Sequence, residues 1–166
     1  RRAVRSGLCA GGRAESAMAT IEPFSGVESL PAPPDRVYAF LADPDQMKTV
    51  IPDLVSAERI SPTILKGVVR PGFSFLRGTL KFTMTIAPTV PGKTLNVTIF
   101  SEAIGAKLTV ESTMTVEPDG AGSKVAWTAQ VTQLSGLIAA APGGLIKAAA
   151  DKTVRDGWEK IRAAVV

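Results

Sequence analysis

The chain of 166 residues contains no histidine and a single cysteine, Cys9. Without histidine there is no imidazole to act as a general base, to activate a nucleophile or to bind a metal. One cysteine cannot form a disulfide within the chain, and carboxylates alone would have to hold a transition metal. No such carboxylate cluster is evident. The sequence therefore predicts no catalytic residues, no metal and no cofactor.

Long apolar runs are also missing. No segment approaches the roughly 18 consecutive apolar residues that a membrane-spanning helix needs. The arginine-rich start lacks the apolar centre of a signal peptide. These absences predict a cytoplasmic protein without a transmembrane segment, and peripheral contact with a membrane stays open.

Basic residues are not clustered within the body of the chain. The formal net charge is +4, but residues 1–17 carry four arginines against one glutamate and so account for +3. A nucleic-acid face would need lysines and arginines grouped within the fold, so no nucleic-acid partner is predicted. Because Met18 resembles a natural start, residues 1–17 are interpreted as a disordered or non-native extension, and residues 18–166 as one domain.

Apolar spacing predicts two short helices after a first strand at residues 21–30. Val37, Phe40 and Leu41 share one helix face, and Met47 with Val50 and Ile51 repeats the spacing after Asp43-Pro44. From Leu54 the apolar period changes to two, which predicts a run of antiparallel strands with one apolar face. These strands are predicted at residues 54–61, 64–70, 79–89, around 95–99, 107–117 and 124–133.

The C-terminal segment provides the cover for the apolar face. Residues 135–141 predict a short helix, which Pro142-Gly143-Gly144 interrupts. Residues 145–165 then predict one long helix. The predicted sheet-facing side chains are Ile146, Ala149, Ala150, Val154, Trp158 and Ile161, and the predicted solvent-facing ones are Lys147, Lys152, Arg155, Lys160 and Arg162. The predicted fold class is α+β, a curved antiparallel sheet around a long C-terminal helix, with a cavity between them.

The segment FSGVESLPAPPDRVYAFLADPDQMKTVIPDL, residues 24–54, resembles the opening of START-like proteins, the SRPBCC or helix-grip superfamily. Within the superfamily it is most similar to the CoxG-like group, which is named for the CoxG subunit of carbon monoxide dehydrogenase. The matching motifs are Ala32-Pro33-Pro34, Val37-Tyr38, Leu41-Ala42-Asp43-Pro44 and Ile51-Pro52. Where the group has glycine after Ile-Pro, this chain has Asp53. The likeness runs from Glu22 to Val166.

The resemblance implies a helix-grip (START-like/Bet v 1-like) fold with a hydrophobic cavity under the long helix. Members bind lipids, sterols, polyketides or quinone-like molecules, and some are cyclases or dehydrases. The CoxG-like group is associated with molybdenum hydroxylases of the CO dehydrogenase type, in maturation, membrane recruitment or quinone handling. The motif residues belong to the scaffold, so no catalytic set is carried over.

Candidate site residues follow from the predicted inward faces. The predicted cavity lining is Phe73, Phe75, Leu76, Phe82, Met84, Val97, Ile99, Val110, Met114, Trp127, Ile146, Ala150, Val154 and Trp158. The loop that holds Phe73, Phe75 and Leu76 suits a flap at a cavity mouth, although a strand crossing packed on the core explains it as well. Glu28, Arg70 and Arg77 are possible polar anchors for a ligand, and exposed strand ends are the alternative interpretation. Gly157 and the alanines at 148–150 fit either a cavity or close packing.

Three functions remain in view. The first is binding of a hydrophobic small molecule that is lipid-, quinone- or polyketide-like. The second is an accessory factor for a CO dehydrogenase-type molybdenum enzyme, and the third is a cyclase- or dehydrase-like enzyme. The third is the weakest, because the predicted inward face offers only Ser112, Glu28 and Glu102 as polar groups. The sequence leaves open whether the protein is a monomer or a homodimer.

Overall fold

The computed structural model describes residues 23–70, 78–103, 106–136 and 143–165. Within these ranges the chain forms one antiparallel sheet of seven strands, two short helices and a long C-terminal helix. The elements are β1 Phe24–Leu30, α1 Pro34–Ala42, α2 Pro44–Lys48, β2 Leu54–Ser61, β3 Ile64–Val69, β4 Leu80–Val90, β5 Thr94–Ala103, β6 Ala106–Asp119, β7 Gly122–Gly136 and α3 Gly143–Ala164.

The order of the strands across the sheet is β1-β7-β6-β5-β4-β3-β2. Strands β2 to β7 form a continuous meander, and β1 pairs with β7 at the far edge. The first two strands are therefore at opposite edges, and the segment with α1 and α2 connects them. The predicted α+β helix-grip architecture is confirmed.

The two short helices begin at prolines. Pro33 is the N-cap residue of α1, and Pro34 occupies its first turn, where a missing N–H costs nothing. Helix α1 buries Val37, Phe40 and Leu41. The carboxylate of Asp43 caps α2 by accepting a hydrogen bond of 2.9 Å from the backbone N–H of Asp45.

Alternate residues of the strands point to one apolar inner face, and the predicted phase of the apolar residues is confirmed for β4 to β7. Leu80, Phe82, Met84 and Ile86 are buried along β4, while Lys81 is exposed. In β7 a register shift opposite Thr109 and Val110 inserts one extra residue. Such a bulge lets β7 follow the curvature of the sheet while Val131 and Leu134 pair with Val110 and Leu108.

The beginning of the C-terminal region differs from the sequence prediction. Ser135 and Gly136 are the last residues of β7 rather than part of a helix, and residues 137–142 lie outside the described ranges. An apolar run without clear periodicity is compatible with both structures.

Two basic residues of α3 with a predicted solvent-facing position are exposed, and both also contact β1. The ammonium group of Lys147 lies 5.2 Å from the ring centroid of Phe24. Arg162 donates to Glu28 and to the backbone carbonyl of Ser29.

Candidate functional site

The inner faces of the sheet and of α3 are incompletely buried at their centre. Ile99, Val110 and Val131 pair in register across β5, β6 and β7, yet each is only partly buried. Interior strands under a cover are normally the most completely buried part of a sheet. The described residues therefore leave this row of side chains incompletely covered.

Helix α3 shows the same pattern on the surface that faces the sheet. Ile146 near its start and Ile161 near its end are buried, whereas Ala150 and Val154 between them are only partly buried. The two partly buried surfaces belong to one apolar layer. The centre of that layer is therefore a partly buried surface of small and medium-sized apolar side chains.

Gly157 supports the same conclusion. It follows Val154 by three residues and precedes Ile161 by four, so it lies on the same helix face. A Cβ atom built on Gly157 meets no atom of the described residues within 4 Å. Close packing by the described residues therefore does not require glycine here.

A groove of about 560 Å³ opens beside this layer, between β1, β7 and α3. It is lined by Pro23, Phe24, Ser25, Glu28, Trp127, Lys147, Asp151, Val154, Arg155, Trp158, Glu159 and Arg162. Trp127, Val154 and Trp158 also belong to the apolar layer, so the groove and the layer share a wall.

Two tryptophans form the apolar wall of the groove. The rings of Trp127 and Trp158 stack with their centroids 6.4 Å apart. Trp127 can lie flat against β1 because residue 26 is glycine: a Cβ atom at Gly26 would be 2.8 Å from Cζ2 of Trp127. Neither tryptophan is exposed, although both contact the groove.

An ion pair forms the polar wall. Nη2 of Arg162 donates to Oε1 of Glu28 at 2.8 Å, and Nε1 of Trp127 lies 3.4 Å from Oε2 of the same carboxylate. The groove contains three acidic residues, Glu28, Asp151 and Glu159, and three basic ones, Lys147, Arg155 and Arg162. Its lining charges therefore cancel.

Helix α3 also carries an ion pair outside the groove. The pKa of Lys152 is raised, chiefly by its hydrogen bond with Asp156 and the charge of that carboxylate, with a smaller contribution from Asp53. The pKa of Asp156 is lowered, chiefly by the hydrogen bond with Lys152.

Most of the predicted lining residues belong to the apolar layer or pack against it. Phe82, Met84, Val97, Trp127, Ile146 and Trp158 are buried, and Ile99, Val110, Met114, Ala150 and Val154 are partly buried. Phe73, Phe75, Leu76 and Arg77 lie outside the described residues. Arg70 is exposed after β3, and its N–H donates to the carbonyl of Asp53.

The structure corrects the set of inward polar residues. Glu102 lies on the outer face, in register with Lys81 and Lys107, because the inward phase of β5 includes Ser101. Ser101 is buried, with 5% exposure, and sequence reasoning missed it, although the Leu95-Val97-Ile99 alternation extends to it. Glu28 faces inward, in agreement with its phase relative to Leu30. Sequence reasoning also missed its partner Arg162, which no local pattern connects to β1.

Within the described ranges, Asp and Glu residues form no group of three that could hold a metal ion. The same part of the chain contains no helix with the length and apolar character needed to cross a membrane.

Solved structures share the fold at low sequence identity. A conserved protein from Geobacillus kaustophilus is 17% identical, with a TM-score of 0.78 over 87% of this chain and 95% of that one. A START superfamily protein from Mycobacterium smegmatis is 12% identical, with a TM-score of 0.65 over 86% and 96%. A STAR-related lipid transfer protein (fragment 25-204) from Xanthomonas axonopodis is 15% identical, with a TM-score of 0.59 over 87% and 86%. The fold is thus the START-like helix-grip fold.

The family is defined more narrowly by sequence. The family model of CoxG, a carbon monoxide dehydrogenase subunit, matches residues 26–166. The chain belongs to this family. No curated protein matches the sequence. Family and neighbours together support a hydrophobic ligand-binding fold.

Proposed function

We propose that this protein binds a hydrophobic small molecule between the inner face of its sheet and α3. The observation that carries the proposal is the partial burial of Ile99, Val110 and Val131 in the sheet, together with that of Ala150 and Val154 in α3. Leaving apolar surface open at the centre of a domain forgoes stabilisation of about 25 cal/mol per Å². A bound apolar molecule recovers it, since burying about 200 Å² of such surface contributes about 5 kcal/mol before the cost of association.

The ligand class is lipid-, quinone- or polyketide-like. The lining is apolar at its centre, and the side groove adds aromatic surface at Trp127 and Trp158 together with a polar end. A molecule with an elongated apolar body and a small polar group matches this distribution of side chains.

Extraction of the native protein tests the proposal. Protein purified without detergent is divided in two, and one half is unfolded and washed before solvent extraction. Mass spectrometry should find one apolar compound, close to one per chain, in the native half alone. The proposal fails if no compound is retained and the protein also does not bind an apolar fluorescent probe.

A second candidate function is that of an accessory factor for a molybdenum hydroxylase of the CO dehydrogenase type. The match of the CoxG family model over residues 26–166 favours it. Tagged protein expressed beside such an enzyme should then co-purify with it or change its membrane association. An enzyme that matures, localises and turns over identically without this chain would contradict this role. No observation favours a cyclase- or dehydrase-like activity.

A further inference from the structure

The ion pair at the edge of the cavity has an unequal distribution of hydrogen bonds. Glu28 has 24% side-chain exposure and Arg162 has 40%, so the pair is partly shielded from water. Oε1 of Glu28 accepts the hydrogen bond from Arg162 at 2.8 Å. Oε2 receives only the 3.4 Å contact from Trp127, which is longer than an ordinary N–H···O bond. One carboxylate oxygen therefore keeps accepting capacity toward the groove.

The position of the pair relates it to the proposed ligand site. Glu28 and Arg162 line the same groove as Trp127, Val154 and Trp158, which also form part of the apolar layer. An apolar chain held under α3 can therefore extend along the tryptophans and end at the carboxylate. The groove is the place where the polar group of an amphiphilic ligand would lie.

We propose that the Glu28–Arg162 pair selects amphiphiles with an uncharged hydroxyl head group and discriminates against carboxylates. The inference rests on the proposed function. A hydroxyl can donate to Oε2 of Glu28 without disturbing the bond from Arg162. A carboxylate would have to compete for Arg162 beside the charge of Glu28, and like charges at such distances disfavour each other. Because the lining charges cancel, no net field compensates for the desolvation of a charged head group.

The test uses three ligands with the same twelve-carbon chain: 1-dodecanol, dodecanoate and dodecylamine. Each displaces an apolar fluorescent probe from the full chain, below its micellar concentration and at a pH where the acid is ionised. Wild-type protein should bind the alcohol at least tenfold more tightly than the carboxylate. Glu28→Gln releases Arg162 at constant side-chain size, and the order of the two should then reverse.

The control variant is Glu102→Gln, which removes the same charge from the opposite face of the sheet. It should keep the wild-type order. A second variant, Arg162→Gln, leaves Glu28 uncompensated and should make dodecylamine the tightest of the three ligands. It keeps the test decisive should Glu28→Gln fail to fold.

The outcomes separate the two claims. Ligand binding with no preference for the alcohol, or the same switch in Glu102→Gln, overturns the head-group inference and leaves the proposed function standing. If no probe or ligand binds to the wild type, the proposed function fails, and the inference fails with it.

Discussion

Asp53 adopts a backbone conformation that side chains rarely tolerate. Its φ angle is +60°, and its carbonyl accepts a 2.9 Å hydrogen bond from the N–H of Arg70. This bond fixes the loop between α2 and β2. The CoxG-like group has glycine at this position, and the positive φ angle gives the physical reason. Aspartate is among the few other residues that visit this region.

Asp53→Gly should therefore raise the free energy of unfolding by about 0.5–1 kcal/mol, because the left-handed conformation no longer crowds a Cβ atom. Urea denaturation provides the measurement. Asp53→Val should lower the same quantity, because a β-branched side chain is strained there. A loss of stability in the glycine variant would show that the aspartate side chain matters more than the backbone strain.

Gly67 is required for a different reason, which is close approach. A Cβ atom there would lie 2.5 Å from the backbone oxygen of Ser56 and 2.7 Å from the ring of Phe82. Gly67→Ala should lower the free energy of unfolding by about 1–3 kcal/mol, since a neighbouring strand cannot move aside freely. Gly157→Ala is the matched control and should raise it by about 0.5–1 kcal/mol, because alanine is the better helix former. Equal effects of the two variants would contradict the packing described for both sites.

At the scale of elements, helix α3 is held mainly by its C-terminal half. Trp158 and Ile161 are buried there, Val165 is buried directly after the helix, and Arg162 bonds to β1. In the first turns Ile146 is buried, but Leu145 beside it is 46% exposed. The C-terminal half of the helix therefore contributes more buried side chains than its first turns do.

Two residues of similar size measure this asymmetry. Ile161→Ala should cost about 2–5 kcal/mol of unfolding free energy, because Ile161 is only 5% exposed. Leu145→Ala should cost less than about 1 kcal/mol, as expected for an exposed position. Chemical denaturation measures the free energy of unfolding of both variants. Comparable losses of this free energy would mean that the helix is anchored evenly along its length.

The sequence predicts elements well where periodicity is strong. The alternation in β4 and the i, i+3, i+4 spacing of Val37, Phe40 and Leu41 each correspond to one structure only. The apolar run after Gln133 lacks a period, so the sequence predicts a helix there although its first residues continue β7. The prediction that Glu102 faces inward is wrong for a related reason. A shift of one residue along a strand moves a side chain to the opposite face of the sheet.

The polar part of the site depends on tertiary structure. A helical wheel places Arg162 on one flank of α3, but only the packing of the helix decides that this flank adjoins β1. The groove likewise requires β1 to pair with β7, more than 90 residues later in the chain. Local patterns contain no information about such distant pairings, so they do not predict the Glu28–Arg162 pair.

For the whole molecule, the fold is shared with proteins that are only 12–17% identical to it. Periodicity, prolines and a few glycines are sufficient to specify this architecture, whereas the ligand depends on individual side chains that line the cavity. The central claim is that the side chains of the described residues leave space beneath α3 that is available to a ligand.

Filling that space tests the claim most directly. Ala150→Phe and Gly157→Leu place larger apolar side chains on the inner face of α3, and Gln130→Leu makes a comparable change on the outer face of β7. The measurement is the dissociation constant of an apolar fluorescent probe for each folded variant. We expect both inner-face variants to weaken binding at least tenfold while their melting temperatures stay at or above that of the wild type, and Gln130→Leu to bind normally. Unchanged binding in Ala150→Phe and Gly157→Leu, or a large loss of stability in both, would contradict the existence of the cavity.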